Sequence, residues 1–504
     1  MRILFIYPNL YAQIGFNYGV SFLSAVLKQH DHTTALLNIN EKLGYSLDLP
    51  RIINDITSFS PDLIAFSIVT NQFQYAVTIS QEIKQHFQIP IVCGGIHATM
   101  VPSEVLETGL FDAVFVGESE HALVAYVNAL EREKDVTSIP NTWQRKNGTI
   151  IKNTLTAFPD LTALPFKDYA IFDFQKMIDA KNGWVGLMTS RGCPFRCSYC
   201  FNHQLVHIYQ QGLGVPASQL NYIRHHSVEE VIEEINFLQT HYKNIRMYIF
   251  DDDLFTFNQE YLQKFCEEYK KVSHLPFVVN AHVQVFNHET ARSLKDAGCS
   301  IVKFGIESGS ERVRKEILNR PMKNKTIKEA FSIAHDVGLH TSAFVMVGLP
   351  TETREEVMET IQILADIKPG RFRWSLFFPY PNTRAYEISQ EGGFIDFNKM
   401  SQLSNFTDES CLDFGPEYNF WLKKVNRAFP WYVNALASLP CSPRYATMTG
   451  EIEAMSEDSW MKEEGAIPTR DREASSRETH AGSLQYSIRF NSFMAVRSDW
   501  QEDE

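Results

Sequence analysis

Cysteine is scarce in this chain: eight in 504 residues, at positions 93, 193, 197, 200, 266, 299, 411 and 441. So few in so long a chain exclude a disulfide scaffold and fit a reducing cytoplasm. Long apolar runs are missing too. None approaches the roughly 18–20 residues that span a bilayer. The apolar start Met1–Tyr7 gives way to Pro8-Asn9 with no small-residue cleavage site, so it reads as a first strand and not as a secretory signal. Positive charge is in deficit, with 47 Lys and Arg against 60 Asp and Glu and a formal net charge of −13 at pH 7. Duplex nucleic acid needs clustered Lys and Arg to neutralise its phosphates, so it is not the expected partner. No internal repeat of about 20–50 residues is visible.

The composition, 44% apolar and 21% charged, is that of a soluble globular protein. The length predicts about two to four domains. Over residues 1–133, continuous apolar runs at Ile3–Tyr7, Thr34–Asn38, Leu63–Ser67, Ile91–Cys93 and Ala113–Val116 alternate with amphipathic stretches such as Tyr18–Gln29 and Gln72–Phe87. That alternation predicts an α/β domain, doubly wound and Rossmann-like, with ligands at the carboxyl ends of its strands. Residues 134–183 read as a surface linker with a hairpin turning at Asn147-Gly148. Residues 184–385 carry six further strand–helix units, with strands at Val185–Thr189, Arg246–Phe250, Phe277–Asn280, Ile301–Gly305, Thr341–Met346 and Arg371–Leu376. Six units suit a partial (β/α)6 barrel, since a full eight would need roughly 250 residues. A small helical C-terminal segment is expected over 386–438. From 439 to 504 the pattern is polar with little periodicity, which predicts an irregular, weakly ordered tail.

The chemistry lies in Arg191-Gly192-Cys193-Pro-Phe-Arg-Cys197-Ser-Tyr-Cys200, directly after an apolar strand. Three thiolates on one short loop suit three irons of a cubane cluster, and with no fourth cysteine nearby one iron stays open to an outside ligand. The alternative is a zinc site with His203 as fourth ligand, although structural zinc sites favour two separated ligand pairs.

The Cys-x3-Cys-x2-Cys spacing resembles that of the radical S-adenosylmethionine superfamily. The resemblance implies a 4Fe-4S cluster on Cys193, Cys197 and Cys200, with S-adenosylmethionine chelating the open iron, and Tyr199 near the adenine. It extends to Asp251-Asp252-Asp253 at the end of the second barrel strand, where Asp252 would hold the amino group of S-adenosylmethionine. The local alternative is that these aspartates cap the helix beginning near Asn258. It extends also to Gly305-Ile306-Glu307-Ser308-Gly309, where Glu307 and Ser308 would face the ribose and carboxylate. Val347-Gly348-Leu349-Pro350 resembles the adenine-contacting turn, with Gly348 at its centre. Phe378-Pro-Tyr-Pro-Asn-Thr383 resembles a Pro-x-Pro-Gly-Thr turn, with Asn382 replacing Gly; for both turns a purely structural role is the more cautious reading.

In the first domain, Gly94-Gly95-Ile96-His97-Ala98-Thr99 and Gly117-Glu118-Ser119-Glu120 resemble the Gly-Gly-x-His-x-Thr and Gly-Glu-x-Glu motifs of cobalamin-binding domains fused to radical S-adenosylmethionine barrels. Gly94, Gly95, His97, Thr99, Gly117 and Glu118 would then contact cobalamin. The Asp-x-His-x-x-Gly loop that supplies a cobalt-ligating His elsewhere is missing, and His97 is equally well read as a helix-start residue bonded locally.

The resemblance implies reductive cleavage of S-adenosylmethionine to a 5′-deoxyadenosyl radical, coupled to methyl transfer from methylcobalamin to an unactivated carbon. Oxidative cyclisation or rearrangement without methyl transfer is the alternative within enzymes, and a non-catalytic cobalamin or cluster sensor is the alternative outside them. It also implies an external electron donor such as flavodoxin or ferredoxin and a small-molecule or peptide substrate, in a cytoplasmic setting with no membrane span.

Overall fold

The computed structural model describes residues 1–500 apart from Asn147 and 404–406. The chain divides into two compact units. The first comprises residues 1–194, 200–253 and 380–383; the second comprises 195–199, 254–379 and 384–504.

The first unit is built on a seven-stranded sheet. Strands β1 (Arg2–Pro8), β2 (Thr33–Ile39), β3 (Leu63–Ser67), β4 (Ile91–Gly94) and β5 (Ala113–Phe115) are parallel in the order β2-β1-β3-β4-β5. All coincide with the apolar runs of the sequence. The helices Tyr18–Gln29 and Glu120–Glu131 pack together, as do Leu49–Phe59 and Phe73–His86. In this doubly wound order the strand sequence reverses between β1 and β3, which is where such sheets open a crevice at their carboxyl ends.

The segment expected as a surface linker departs from expectation. Strands β6 (Thr142–Lys146) and β7 (Thr149–Lys152) extend the sheet antiparallel from β5. Asn147 of the expected turn lies outside the described residues, and Gly148 beside it has φ +80°. Leu155, Phe158, Leu161, Tyr169 and Phe172 beyond the hairpin are buried. The prolines that suggested a surface path punctuate a run whose aromatic side chains dock into the core.

Four further strands belong to this unit. Parallel β8 (Trp184–Leu187) pairs with β11 (Met247–Phe250), and the short antiparallel pair of β9 (Ser190–Arg191) and β10 (Arg224–His225) flanks the cysteine run. The helix Phe201–Leu213, which follows the cysteines, buries Leu205, Val206 and Tyr209 in the core of the seven-stranded sheet.

The second unit carries four parallel strands, β12 (Phe277–Ala281), β13 (Cys299–Glu307), β14 (His340–Val347) and β15 (Arg371–Leu376). In chain order they are the third to sixth strands of the expected partial barrel, and β8 and β11 of the first unit are the first two. Helices such as Arg354–Ile367 alternate with them, opened by capping boxes like that of Thr353 and Glu356.

The expected irregular tail is corrected by the structure. Residues 442–480 form the helices Ser442–Glu453, Glu457–Glu463 and Ile467–His480, and the hairpin of β16 (Tyr486–Ile488) and β17 (Met494–Arg497) adds β17 antiparallel to β15. Single anchors spaced through polar sequence hold it: Tyr445, Ile452, Trp460 and Tyr486 are buried. Asp471 accepts from Trp431 Nε1 and from the Ile488 N–H, both at 2.8 Å. Such anchors are too sparse to raise the periodicity by which tails are recognised. No helix among the described residues is long and apolar enough to cross a membrane.

Candidate functional site

A cavity of about 270 Å³ opens at the carboxyl ends of β1, β3, β4 and β5, lined among others by Phe5, Ser67, Gly94, Gly95, Gly117 and Glu120. Its glycines serve different ends. At Gly95 φ is +97°, and a Cβ would lie 2.6 Å from the Ile68 carbonyl oxygen. At Gly117 φ is +78°, and a Cβ would strike the Tyr209 ring. These two are glycine for backbone reasons. Gly94 has an ordinary φ, and a Cβ there would sit 3.6 Å from Phe115, so this is the glycine whose missing side chain keeps the cavity open.

Thr99 and His97 do not line this cavity. Thr99 Oγ1 donates to the Gly95 carbonyl and accepts from the Gly117 N–H, both at 3.0 Å, tying the two glycine loops together. The His97 ring packs on Phe73 at 4.3 Å with Nδ1 3.4 Å from Thr70 Oγ1, and burial pushes its pKa down to about 4.

Glu118, expected to contact a ligand, lines the cavity and is also a buried salt-bridge partner. Arg191 lies 2.6 Å from Glu118 and 2.8 Å from Glu120, and Arg224 Nη1 donates to Glu118 at 3.0 Å. Burial pushes the Glu118 carboxyl up, but the two guanidinium groups outweigh it and hold the group below its ordinary value. Oε2 of Glu120 has no partner among the described residues. It is a buried acceptor on the cavity wall, which suits a ligand offering amide or hydroxyl donors. The sequence motif contained Glu120, but its spacing did not distinguish it from Glu118.

None of the eight cysteines is disulfide-bonded. Among the described residues no three His, Cys, Asp or Glu side chains gather at the spacing of a single metal ion; the cysteines of a cubane each take a different iron. The middle of the cysteine run is pinned within the second unit. The Ser198 N–H donates to the Leu318 carbonyl at 3.0 Å, Ser198 Oγ donates to the Ile317 carbonyl, and Asn319 Nδ2 donates to the Arg196 carbonyl at 2.7 Å. Arg320 Nη1 donates to Cys197 Sγ at 3.3 Å and Nη2 to the Gly305 carbonyl at 2.7 Å. A cysteine sulfur held in place by a guanidinium is suitably positioned to serve as an iron ligand. Arg320 lies far along the chain from the cysteines and in no motif, so sequence reasoning missed it.

The three aspartates after β11 each have a structural partner. Asp251 accepts from the Tyr18 hydroxyl at 2.9 Å. Asp252, expected to face S-adenosylmethionine, is fully buried instead, accepting from Thr189 Oγ1 at 2.7 Å, the Thr189 N–H and the Ser190 hydroxyl. Burial pushes its pKa up to about 6 against those bonds. Asp253 is raised by burial and bonds to Asn202 and the Gly192 N–H on either side of the cysteines. The carboxylates lock the strand ends that carry the cysteine run, and none acts as a cap for the helix at Asn258, whose own side chain does so.

Around β13 the expectation divides. The register slips between Gly305 and Glu307, and Glu307 has φ +69°. This bulge re-aims Glu307 so that its carboxylate accepts from Tyr199 and lies near Arg320; burial raises its pKa, and Arg320 and Tyr199 oppose the rise. A Cβ on Gly305 would fall 2.3 Å from Glu307 Oε1, so that glycine makes room for the carboxylate. Ser308, expected beside Glu307 at the ligand, is fully buried and turns inward, where its hydroxyl accepts from the Ser310 N–H at 3.2 Å. Gly348, with φ +73°, donates its N–H to Glu352 at 2.8 Å, and burial pushes the Glu352 pKa up to about 8. In the last turn Asn382 takes φ +62°, the conformation for which a glycine would serve, and donates to the Met100 carbonyl.

Residues 187–364 match the Radical SAM superfamily and residues 10–127 the B12 binding domain. The chain is 28% identical over 407 residues to an uncharacterized methyltransferase of Pyrococcus horikoshii, covering 78% of this chain and 84% of the relative. It is 24% identical over 456 residues to the anaerobic magnesium-protoporphyrin IX monomethyl ester cyclase of Rubrivivax gelatinosus, covering 85% and 77%. The radical S-adenosylmethionine methyltransferase TsrM of Kitasatospora setae shares its fold, with a TM-score of 0.63 at 17% identity over 77% of this chain and 76% of that one. The cofactors expected of these two domains are a 4Fe-4S cluster, S-adenosylmethionine and cobalamin. The cysteine run with Arg320 on Cys197, and the glycine-lined cavity with its unpartnered acceptor, fit those groups. The chain is thus a protein with a B12 binding domain followed by a radical SAM domain.

Proposed function

We propose that the protein catalyses cobalamin-dependent methyl transfer to an unactivated carbon. The observation that carries this reading is the cavity at the β1/β3 switch point, open at Gly94 and offering Glu120 Oε2 as an unused acceptor. The name of the Pyrococcus horikoshii relative supports it. When bound, the reduced cluster supplies the electron that cleaves S-adenosylmethionine, and cobalamin carries the methyl group.

The chain's own residues do the positioning. Cys193, Cys197 and Cys200 hold three irons, and Arg320 steadies the Cys197 thiolate. Glu307 is held by Tyr199 and Arg320 at a strand end and offers a carboxylate to S-adenosylmethionine; Gly348 provides backbone for its adenine. Gly94, Gly95, Gly117 and Glu120 enclose part of cobalamin, while Thr99 and Glu118 hold the loops that carry them.

Anaerobic reconstitution with iron, sulfide and hydroxocobalamin tests this. After desalting, about four irons and about one cobalt per chain are expected, with S-adenosylmethionine cleaved under reduction. Iron without cobalt would retain the radical chemistry and sink the methylcobalamin step. Gly94→Phe fills the cavity and should lower the cobalt count while leaving iron unchanged; unchanged cobalt would place cobalamin elsewhere. Cyclisation is the second reading, favoured by the name of the Rubrivivax gelatinosus relative. Methyl transfer produces S-adenosylhomocysteine in step with 5′-deoxyadenosine, and cyclisation produces 5′-deoxyadenosine alone.

A further inference from the structure

Two buried donors have no acceptor among the described residues: Nε2 of His282, whose ring lies against Phe195, and Nε of Arg320, whose Nη1 reaches Cys197. Both lie in the second unit, and the charge of Arg320 acts on the His282 ring.

His282 directly follows β12 and is 3% exposed. Its Nδ1 accepts the Gln284 N–H at 3.3 Å, capping the short helical turn Val283–Val285. An Nδ1 that accepts leaves the ring hydrogen on Nε2, so the unpartnered atom is an N–H donor. Burial and the Arg320 charge push the ring's pKa down to about 2, which keeps it neutral. Phe195, from the middle of the cysteine run, stacks flat on this ring at 3.7 Å and 12°. The histidine therefore sits against the cysteine run. Arg320 is similarly placed: Nη1 and Nη2 are engaged by Cys197 Sγ and the Gly305 carbonyl, and Nε is not.

A buried donor without an acceptor is unfavourable and correspondingly rare. Two against one cysteine run point to an acceptor that the polypeptide does not supply. We propose that His282 Nε2–H and Arg320 Nε–H donate to sulfur atoms of the 4Fe-4S cluster on its Cys197 side and raise its reduction potential. The reduced cluster carries one more negative charge, so donors aimed at its sulfurs favour it over the oxidised form. The proposal rests on the family's cluster being bound by this cysteine run. The carboxylate of S-adenosylmethionine is the other anion that two such donors would fit, and the experiment separates them.

His282→Phe keeps a ring against Phe195 and removes the donor. Arg320→Lys keeps the cation and removes Nε. Each full-length variant is reconstituted anaerobically, its iron is counted, and the cluster's midpoint potential is measured by EPR-monitored titration without S-adenosylmethionine. The affinity for S-adenosylmethionine is measured separately. In each variant the equilibrium constant for reduction should fall about tenfold, a shift of about 59 mV to lower potential for a one-electron couple. An unchanged potential with weakened S-adenosylmethionine binding would assign the donors to the carboxylate and overturn the proposal. An unchanged potential with unchanged binding would overturn it too. A wild-type chain that takes up no iron would overturn the cluster reading itself, a failure distinguishable from either.

Discussion

Cys197→Ala is expected to yield a folded chain that assembles no 4Fe-4S cluster and does not cleave S-adenosylmethionine. The two remaining cysteines of the run cannot hold a cubane that normally needs three or four protein thiolates. The fold should survive because the run is held by neighbours of Cys197. The bonds from Ser198 to the carbonyls of Leu318 and Ile317, and from Asn319 to the Arg196 carbonyl, do not involve the thiol. The variant should therefore match the wild type in far-UV circular dichroism and differ in iron, sulfide and visible absorption. A variant retaining a full cluster and cleavage activity would contradict the assignment of Cys197 as an iron ligand.

Arg191→Met should be the most destabilising single change at the first unit's cavity. The methionine fills much of the space and removes the charge that Glu118 and Glu120 share. Breaking a buried ion pair from one side costs about 3–5 kcal/mol, because the remaining charge is left uncompensated. Glu118 also sets the pH dependence. Its folded pKa is depressed by Arg191 and Arg224 despite burial. Its contribution is therefore fully present above its unfolded pKa, about 4.3 for a glutamate, and is lost as pH falls through the folded value. In Arg191→Met the depression shrinks, so less stability remains to be lost in acid. The gap between wild type and variant should keep its full size from pH 7 down to about 4.3 and narrow as the pH falls below that, measured as the midpoint of urea unfolding. A gap of constant size would mean that the stabilisation comes from packing and not from charge.

Much of the fold was legible because its strands are buried on both faces. Runs such as Leu63–Ser67 and Ile91–Cys93 are continuously apolar, and such runs mark parallel strands whatever follows them. The cysteine run was legible because its spacing is local. Features assembled from distant segments were hidden. Arg320 and His282 belong to no short motif, and only the fold brings them beside Cys197 and Phe195. Asp252 could not be told from its neighbours, because three consecutive aspartates at a strand end look alike in sequence. The side chain that turns under β8 is chosen by the pleat and by the hydroxyls of Thr189 and Ser190. The inward turn of Ser308 was hidden for a similar reason. The bulge that re-aims Glu307 leaves the next residue facing the helix Arg354–Ile367, and slips of register leave no mark in composition.

The hairpin of β16 and β17 has a consequence for the chain's behaviour in concentrated solution. A parallel strand at the margin of a sheet presents a row of free N–H and C=O groups on which a neighbouring molecule can template. β17 covers the free side of β15, and the three-residue β16 then covers β17. The margin is thereby moved onto a strand too short for another chain to pair with at length. The polar tail thus acts as a guard against edge-to-edge aggregation, and a chain truncated before Tyr486 would expose β15 to association with its own copies.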